Sequence, residues 1–202
     1  MILSDREILA AVQRGDIGIT PLAPFRSKPW TSTALDLTLD AEIRRWKTIK
    51  GAGQSTNIDP MDVDFNSDEL IARHTTEEDC RSGTIVICRN EFLLGWTTEK
   101  IKLPHTSKIA ARVEGKSSLA RIGLGAHVTA PTIHAGFGVN PDDSEYPGSP
   151  IRLEIWNAGP LSIVLRCGMR ICQLIFEEVH GTPDEGYTGN FAIQGPPPAA
   201  AG

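Results

Sequence analysis

Three short segments carry residue types that could do chemistry. The first is GKSSLARIGLG, residues 115–125. A glycine, a lysine and two hydroxyls precede Leu119, Ala120 and Arg121, where a single helical turn can start. A serine capping such a turn leaves backbone N–H groups unpaired and pointing outward. With the positive end of the turn and the flanking cations Lys116 and Arg121, these donors make a seat for phosphate oxygens. The spacing is not that of a Walker A loop, and a solvated serine-rich turn is the plain alternative. The second segment is PIRLEIWN, residues 150–157. Ile151, Leu153 and Ile155 share one strand face, and Arg152, Glu154 and Trp156 share the other. A glutamate in mid-strand is exposed, paired or functional. In a cleft it would be partly desolvated, and its pKa would rise from about 4.3 toward neutrality, as a proton shuttle requires. The third segment, HVTAPTIHAGFG (127–138), sets two histidines seven apart among Pro and Gly. It reads as a strand, a tight connection and a close backbone approach. No third ligand has suggestive spacing, so a structural histidine pair stands beside any metal reading.

The elements that must position these groups are mostly strands. One helix is expected at the start: Ser4 and Glu7 form a capping-box pair, Ile8, Leu9 and Val12 make one apolar stripe, and Gly15 stops it. ALDLTLD alternates apolar and polar. Lys47 to Arg81 reads as a long irregular stretch. Strand-like runs follow: TIVIC, FLLGWTT, SKIAARVEG, GAHVTA, PIRLEIWNAG, LSIVLRCG and RICQLIFEEV. Short strands at 8–12-residue spacing predict a barrel or sandwich. The chain reads as a single domain over 1–202. Its end, about 186–202, is a tail that is mobile or orders only on binding.

Composition narrows the function classes. The 202 residues include 20 Lys and Arg against 25 Asp and Glu, a formal net charge of −5. No basic surface suited to nucleic acid is expected. No run approaches the roughly 20 apolar residues of a membrane span, and no secretory signal is visible. The expectation is a cytoplasmic protein without nucleic-acid or membrane partners. Cys80, Cys88, Cys167 and Cys172 form no C-x-x-C and lie in apolar, strand-like surroundings, so they read as buried reduced thiols.

GKSSLARIGL, HVTA, LEIWNAG and GMRICQLIF, in this order, resemble the dCTP deaminases of the dUTPase-like superfamily. MILSDREIL, ALDLTL and LGWTTEKIKLP extend the resemblance over almost the whole chain. It implies a distorted jelly-roll or β-clip barrel with a short N-terminal helix. It also implies a homotrimer with sites at subunit boundaries, and a Mg²⁺ bound through the nucleotide triphosphate with no metal ligand from the protein.

The expected reaction is hydrolytic deamination of dCTP to dUTP and ammonia, in the supply of pyrimidine deoxynucleotides. dTTP is a possible inhibitor. Zinc deaminases use an H-x-E…P-C-x-x-C set. No histidine here has Glu two residues later, so zinc-independent chemistry is expected. Glu154, Ser117 and Arg121 match the family's catalytic positions. Glu154 would take a proton from water and pass it to the base. Ser117 would bond near the phosphates and the attacking water, and Arg121 would stabilise charge. Lys116, Ser118, Leu119 and Ala120 complete the phosphate turn. Backbone groups around Val128, Thr129 and Ala130 would fix the water and read the base edge. Those around Arg152 and Leu153 would hold the pyrimidine carbonyl and ring nitrogen. In the tail, Tyr187 fits the family's pattern, Asn190 or Gln194 stands in for its glutamine, and Gly186 sits where a lysine is usual.

Three departures oppose phosphate-bond cleavage or weaken the resemblance, the missing tail lysine among them. His134 replaces an aspartate that contacts the sugar, with Phe137 in the aromatic place; a neutral imidazole does not reproduce a carboxylate. VNPDDSEYPGSP (139–150) looks like an insertion. Alternatives to a dUTP-releasing deaminase are a nucleotide-binding or regulatory protein without turnover, and a dUMP-forming deaminase and diphosphatase.

Overall fold

The computed structural model describes residues 1–48, 57–126, 129–189 and 191–195. The chain opens with α1 (Asp5–Arg14). The Glu7 amide donates to the Ser4 hydroxyl at 3.4 Å, and the Ser4 amide donates to the Glu7 carboxylate at 2.9 Å, so the capping box forms. Gly15, at φ +79°, ends the helix.

Then come β1 (Gly18–Thr20), β2 (Leu35–Trp46), α2 (Ser67–His74), β3 (Thr75–Asp79), β4 (Ile85–Ile87), β5 (Phe92–Lys102) and β6 (Ile109–Gly115). After them lie α3 (Ser117–Ala120), β7 (Leu124–Ala126), β8 (Thr132–Ile133), β9 (Ser149–Asn157), β10 (Ile163–Leu165) and β11 (Arg170–Glu178). The main sheet runs β7-β9-β5-β2-β11-β6-β8, with β1 added to β5 and β3 to β2; β4 and β10 pair separately. The sheet curls into a half-barrel, so the mainly-β expectation holds. Alternate residues fill its inside: Leu35, Leu37 and Leu39 of β2, Ile151, Leu153 and Ile155 of β9, and Leu174 and Phe176 of β11 are all buried. Truncating any one of these to alanine costs about 2–5 kcal/mol. Among the described residues no helix is long and apolar enough to cross a membrane.

Three readings change. The stretch Lys47 to Arg81 is not irregular throughout, because it holds α2 and β3; its residues 49–56 lie outside the described ones. Asn66 starts α2 by accepting from the Asp68 and Glu69 amides at 3.0 and 3.2 Å. The helix buries no residue, so it has no apolar period to display. Strand β3, TTEED, is polar because it sits at the sheet edge. The cysteines divide as well. All four are free, but only Cys80 and Cys172 are buried, while Cys88 and Cys167 are exposed beside a strand end and in a turn. Burial, with Cys167 beside it, pushes the Cys80 thiol up to about 11.

The segment 139–150 leaves and rejoins the sheet at one point. A Cβ on Gly138 would stand 2.0 Å from the Ile101 carbonyl oxygen, and one on Gly148 would stand 2.6 Å from the same atom. Both glycines have positive φ, +69° and +104°. Lys102 Nζ ties the excursion down by donating to the Ser144 and Tyr146 carbonyls at 3.1 Å each. The segment is therefore closed off at its base, and β9 begins against β5 with Ser149 opposite Ile101.

Candidate active site

Glu154 sits on β9, flanked by β5 along one edge: Leu94 faces Glu154 and Trp96 faces Arg152. On the other edge, β7 pairs only from Asn157 back to Ile155. From Glu154 toward Ile151 that second backbone edge has no strand partner among the described residues. Beyond the Trp96–Arg152 pair the β5–β9 register shifts. There the Ile151 amide donates to the Thr97 hydroxyl at 2.9 Å, and that hydroxyl donates to the Glu99 carbonyl at 2.7 Å. A buried side chain thus replaces the missing ladder bond at the kink. At the other end of the strand Asn157 is buried, and its amide group donates to the Ile87 and Leu161 carbonyls and accepts from the Gly159 amide. This asparagine holds the strand end, which explains its place in the LEIWN motif.

Glu154 lines a cleft of about 820 Å³. Arg152, Trp96 and Leu94 continue its wall, Arg44 of β2 stands beside them, and Asp68 and Glu69 of α2 stand at its side. Arg44 is buried and donates to Glu42 at 2.8 Å and to Glu77 at 3.2 Å. The Arg152 guanidinium lies 3.8 Å from the centre of the Trp96 ring. Burial pulls its pKa below the ordinary arginine value.

The rest of the lining comes from the loop after β8 and from the segment around Tyr187 and Gln194. Ala130, His134 and Phe137 line it, with Tyr187 and Gln194. The rings of His134 and Tyr187 are 4.8 Å apart, tilted by 30°. The Tyr187 amide donates to the Ala135 carbonyl at 2.9 Å, the Gly138 amide to the Ala192 carbonyl at 2.7 Å, and the Gln194 amide to the Ser149 hydroxyl at 3.0 Å. Gly136 permits the crossing: its φ is +103°, and a Cβ there would stand 2.2 Å from the Tyr187 nitrogen. The tail, expected to lack a packed element, is seated along the cleft over its described part. Glycines let two backbones touch, so little apolar pattern was needed. Residues 196–202 lie outside the described ones, as does Asn190.

The serine-led turn is elsewhere. Ser117, Ser118 and Arg121 are exposed and do not line the cleft. The helical turn begins at Ser117, one residue after its cap, which is Lys116 and not a serine. Lys116 is not a free cation either. It pairs with Asp36, which is 2 % exposed and also accepts from Arg170 at 2.9 Å. Leu119 packs half-buried against the core while Ala120 is exposed. Thr129 and Ala130 are exposed, and Val128 lies outside the described residues. Leu153 points into the core, so only its backbone can meet a ligand.

One chain therefore brings together Glu154, Arg152, Ala130, His134, Tyr187 and Gln194, and leaves Lys116, Ser117, Ser118 and Arg121 on another surface. Sequence reasoning missed Trp96, Arg44, Asp36 and the α2 residues. Trp96 had a signal: it shares a face with Leu94 in FLLGWTT. Among the described residues, no group of three or more His, Cys, Asp or Glu is arranged to hold a metal ion.

The model of a family described as dCTP deaminase-like matches residues 2–179. A protein of Methanosphaera stadtmanae named dCTP deaminase, dUMP-forming, is 34 % identical over 186 residues, which is 92 % of this chain and 83 % of that one. Proteins of the same name from Corynebacterium efficiens and Rhodococcus opacus are 37 % identical over 174 residues and 34 % over 208. They cover 86 % and 100 % of this chain and 77 % and 96 % of their own. The crystal structure of 2′-deoxycytidine 5′-triphosphate deaminase from Agrobacterium tumefaciens superposes with a TM-score of 0.59 at 21 % identity. It covers 89 % of this chain and 48 % of that one, a likeness of fold.

Proposed function

Because this chain belongs to the dCTP deaminase-like family, we propose that it deaminates dCTP and then cuts the α–β phosphate bond, releasing dUMP, ammonia and pyrophosphate. Two waters are consumed, one at ring carbon 4 and one at the α-phosphorus. The dUMP-forming name of the relatives supports the second cut. The observation that carries the reading is the position of Glu154: a mid-strand carboxylate on a cleft wall, beside a backbone edge with no strand partner among the described residues. That edge, at Arg152 and Leu153, takes the pyrimidine carbonyl and ring nitrogen. Glu154 takes a proton from water as oxygen attacks carbon 4, and passes it to the ring; ammonia then leaves.

Ser117 and Arg121 serve the cleft of a neighbouring copy in a homotrimer. Their exposure, away from the cleft of their own chain, supports this arrangement. There the serine hydroxyls and Arg121 hold phosphate oxygens and stabilise charge. Lys116 contributes from its pair with Asp36. A Mg²⁺ bound through the triphosphate, with no ligand from this chain, would neutralise charge on the phosphates beside Arg121 and Lys116. Tyr187 and Gln194 close on the sugar and phosphate side. dTTP would compete at the same cleft.

A specific observation favours a second reading, release of dUTP. His134 stands where a carboxylate would prime the water for phosphate cleavage. Incubation with dCTP and Mg²⁺, scored for ammonia and pyrophosphate, decides. Equal amounts of both establish dUMP formation, and ammonia alone establishes dUTP release. Glu154→Gln should lose about 10²–10⁴-fold in ammonia release. Full activity in that variant, or no ammonia from the wild type, overturns the proposal.

A further inference from the structure

We infer that Cys80 and Cys167 form a redox modification site: hydrogen peroxide oxidises Cys167, and Cys80 then closes a disulfide with it. Neither cysteine lines the cleft, so the site is separate from whatever the cleft binds.

The sheet brings the two together. β11 and β3 lie end to end along one edge of β2, while β5 takes the other edge. The β11 ladder stops at Thr38 and the β3 ladder starts at Glu42. Single backbone bonds fill the gap. The Gly168 amide donates to the Leu39 carbonyl at 2.8 Å, the Leu39 amide to the Met169 carbonyl at 2.9 Å, and the Cys80 amide to the Ala41 carbonyl at 2.9 Å. Cys167, one residue before Gly168, therefore comes level with Asp40, and Cys80 comes level with Ala41. Residues level with successive positions of one strand edge lie within the reach of a disulfide. The Cys80 thiol donates to the Asp40 carbonyl at 3.4 Å, which turns its sulfur toward that same point. There the Cys167 thiol is its neighbour.

The two thiols differ as the chemistry requires. Cys167 is exposed, in the turn before β11, and the Arg81 guanidinium faces it. Asp79 holds that guanidinium at 2.9 Å, and Asp40 faces it as well. Cys80 is buried and is the resolving partner. The Cys167 sulfur attacks one peroxide oxygen. The O–O bond breaks, the sulfur becomes a sulfenic acid, and hydroxide leaves beside Arg81. The Cys80 sulfur then displaces the remaining oxygen. An S–S bond forms, and the Cys80 thiol proton leaves with that oxygen as water. One peroxide is reduced and two thiols are oxidised. Cys172 is placed otherwise: it is buried within β11 and faces Asp36, Glu99 and Lys116. The bond joins two arms of the fold. β3 continues from α2, which sets Asp68 and Glu69 at the cleft, and among the described strands it pairs with β2 alone. Oxidation ties this arm to the turn that leads into β11.

The test treats the full chain with hydrogen peroxide, blocks the remaining thiols with N-ethylmaleimide in denaturant, and maps the peptides by mass. The expected product is two hydrogens lighter before blocking and carries a Cys80–Cys167 crosslink that dithiothreitol removes. Its melting temperature should rise by at least about 4 °C over the reduced protein, because the bond closes a long loop of the unfolded chain. Cys167→Ser, a change at an exposed position, should fold, form no such crosslink and show no rise. Cys80→Ser should stop at the sulfenic acid of Cys167, which dimedone captures. Where Cys80→Ser fails to fold, the wild type and Cys167→Ser decide between them. Oxygen adducts on Cys167 without a crosslink overturn the inference. So do a bond from either cysteine to Cys88, a bond between two copies of the chain, and a crosslink that lowers the melting temperature.

Discussion

Gly123 and Gly159 meet backbone to backbone: a Cβ on Gly123 would stand 2.2 Å from the Gly159 nitrogen. The Ala158 amide donates to the Gly123 carbonyl at 2.9 Å, so the segment after the serine-led turn is joined to the segment after the Glu154 strand. Gly123 also holds φ at +88°. Gly123→Ala should therefore cost about 2–5 kcal/mol, from backbone strain and overpacking together. A denaturant titration checks this, and a loss below 1 kcal/mol would mean the seam yields easily.

Asp36 fixes Lys116 beneath the turn. Asp36→Asn keeps the shape and removes the charge shared by Lys116 and Arg170. We expect a loss of about 3 kcal/mol in stability, because the buried pair is broken on one side. KM for the triphosphate should rise more than kcat falls, since Lys116 loses its anchor. An unchanged KM would show that Lys116 orients itself without Asp36.

Glu154→Gln and Ser117→Ala should each be inactive alone. Co-refolded in equal amounts, they should recover roughly a quarter of wild-type activity, because a cleft of one copy then meets an intact turn of another at random. No recovery would place both residues in one protomer's site.

Glu99 gives a pH signature. Thr38 donates its amide to Glu99 at 2.8 Å and its hydroxyl at 2.9 Å, yet burial outweighs these bonds and raises the carboxyl above its ordinary 4.5. The folded protein then holds this proton more tightly than the unfolded chain. That contribution is complete below the unfolded value and is lost as pH climbs through the folded one. Glu99→Gln cannot ionise, so its melting temperature relative to wild type should rise from about pH 4.5 toward neutrality. Parallel curves would contradict the assignment.

Much of the fold was legible where one face is buried. The alternation of Ile151, Leu153 and Ile155 is enough to set Glu154 on the open face. α2 was illegible because it buries nothing, and β3 because an edge strand of Thr, Glu and Asp lacks the alternation. The site was half legible. Glu154 and His134 both line the cleft, but only the strand alternation around Glu154 pointed to an open face. The partition of Ser117 from Glu154 depends on how β6 and β9 lie in the curled sheet, which no local spacing encodes. The Asp36–Lys116 pair joins residues eighty apart in sequence, and ALDLTLD alone reads as an ordinary strand.

The bare crossing of Gly136 under Tyr187 makes the segment of Tyr187 and Ala192 and the His134 loop one mechanical piece. Two main-chain bonds hold them, so neither lifts without disturbing the other. A larger residue at 136 would unseat Tyr187 and the imidazole in a single stroke, and traffic through the cleft would quicken at the expense of grip.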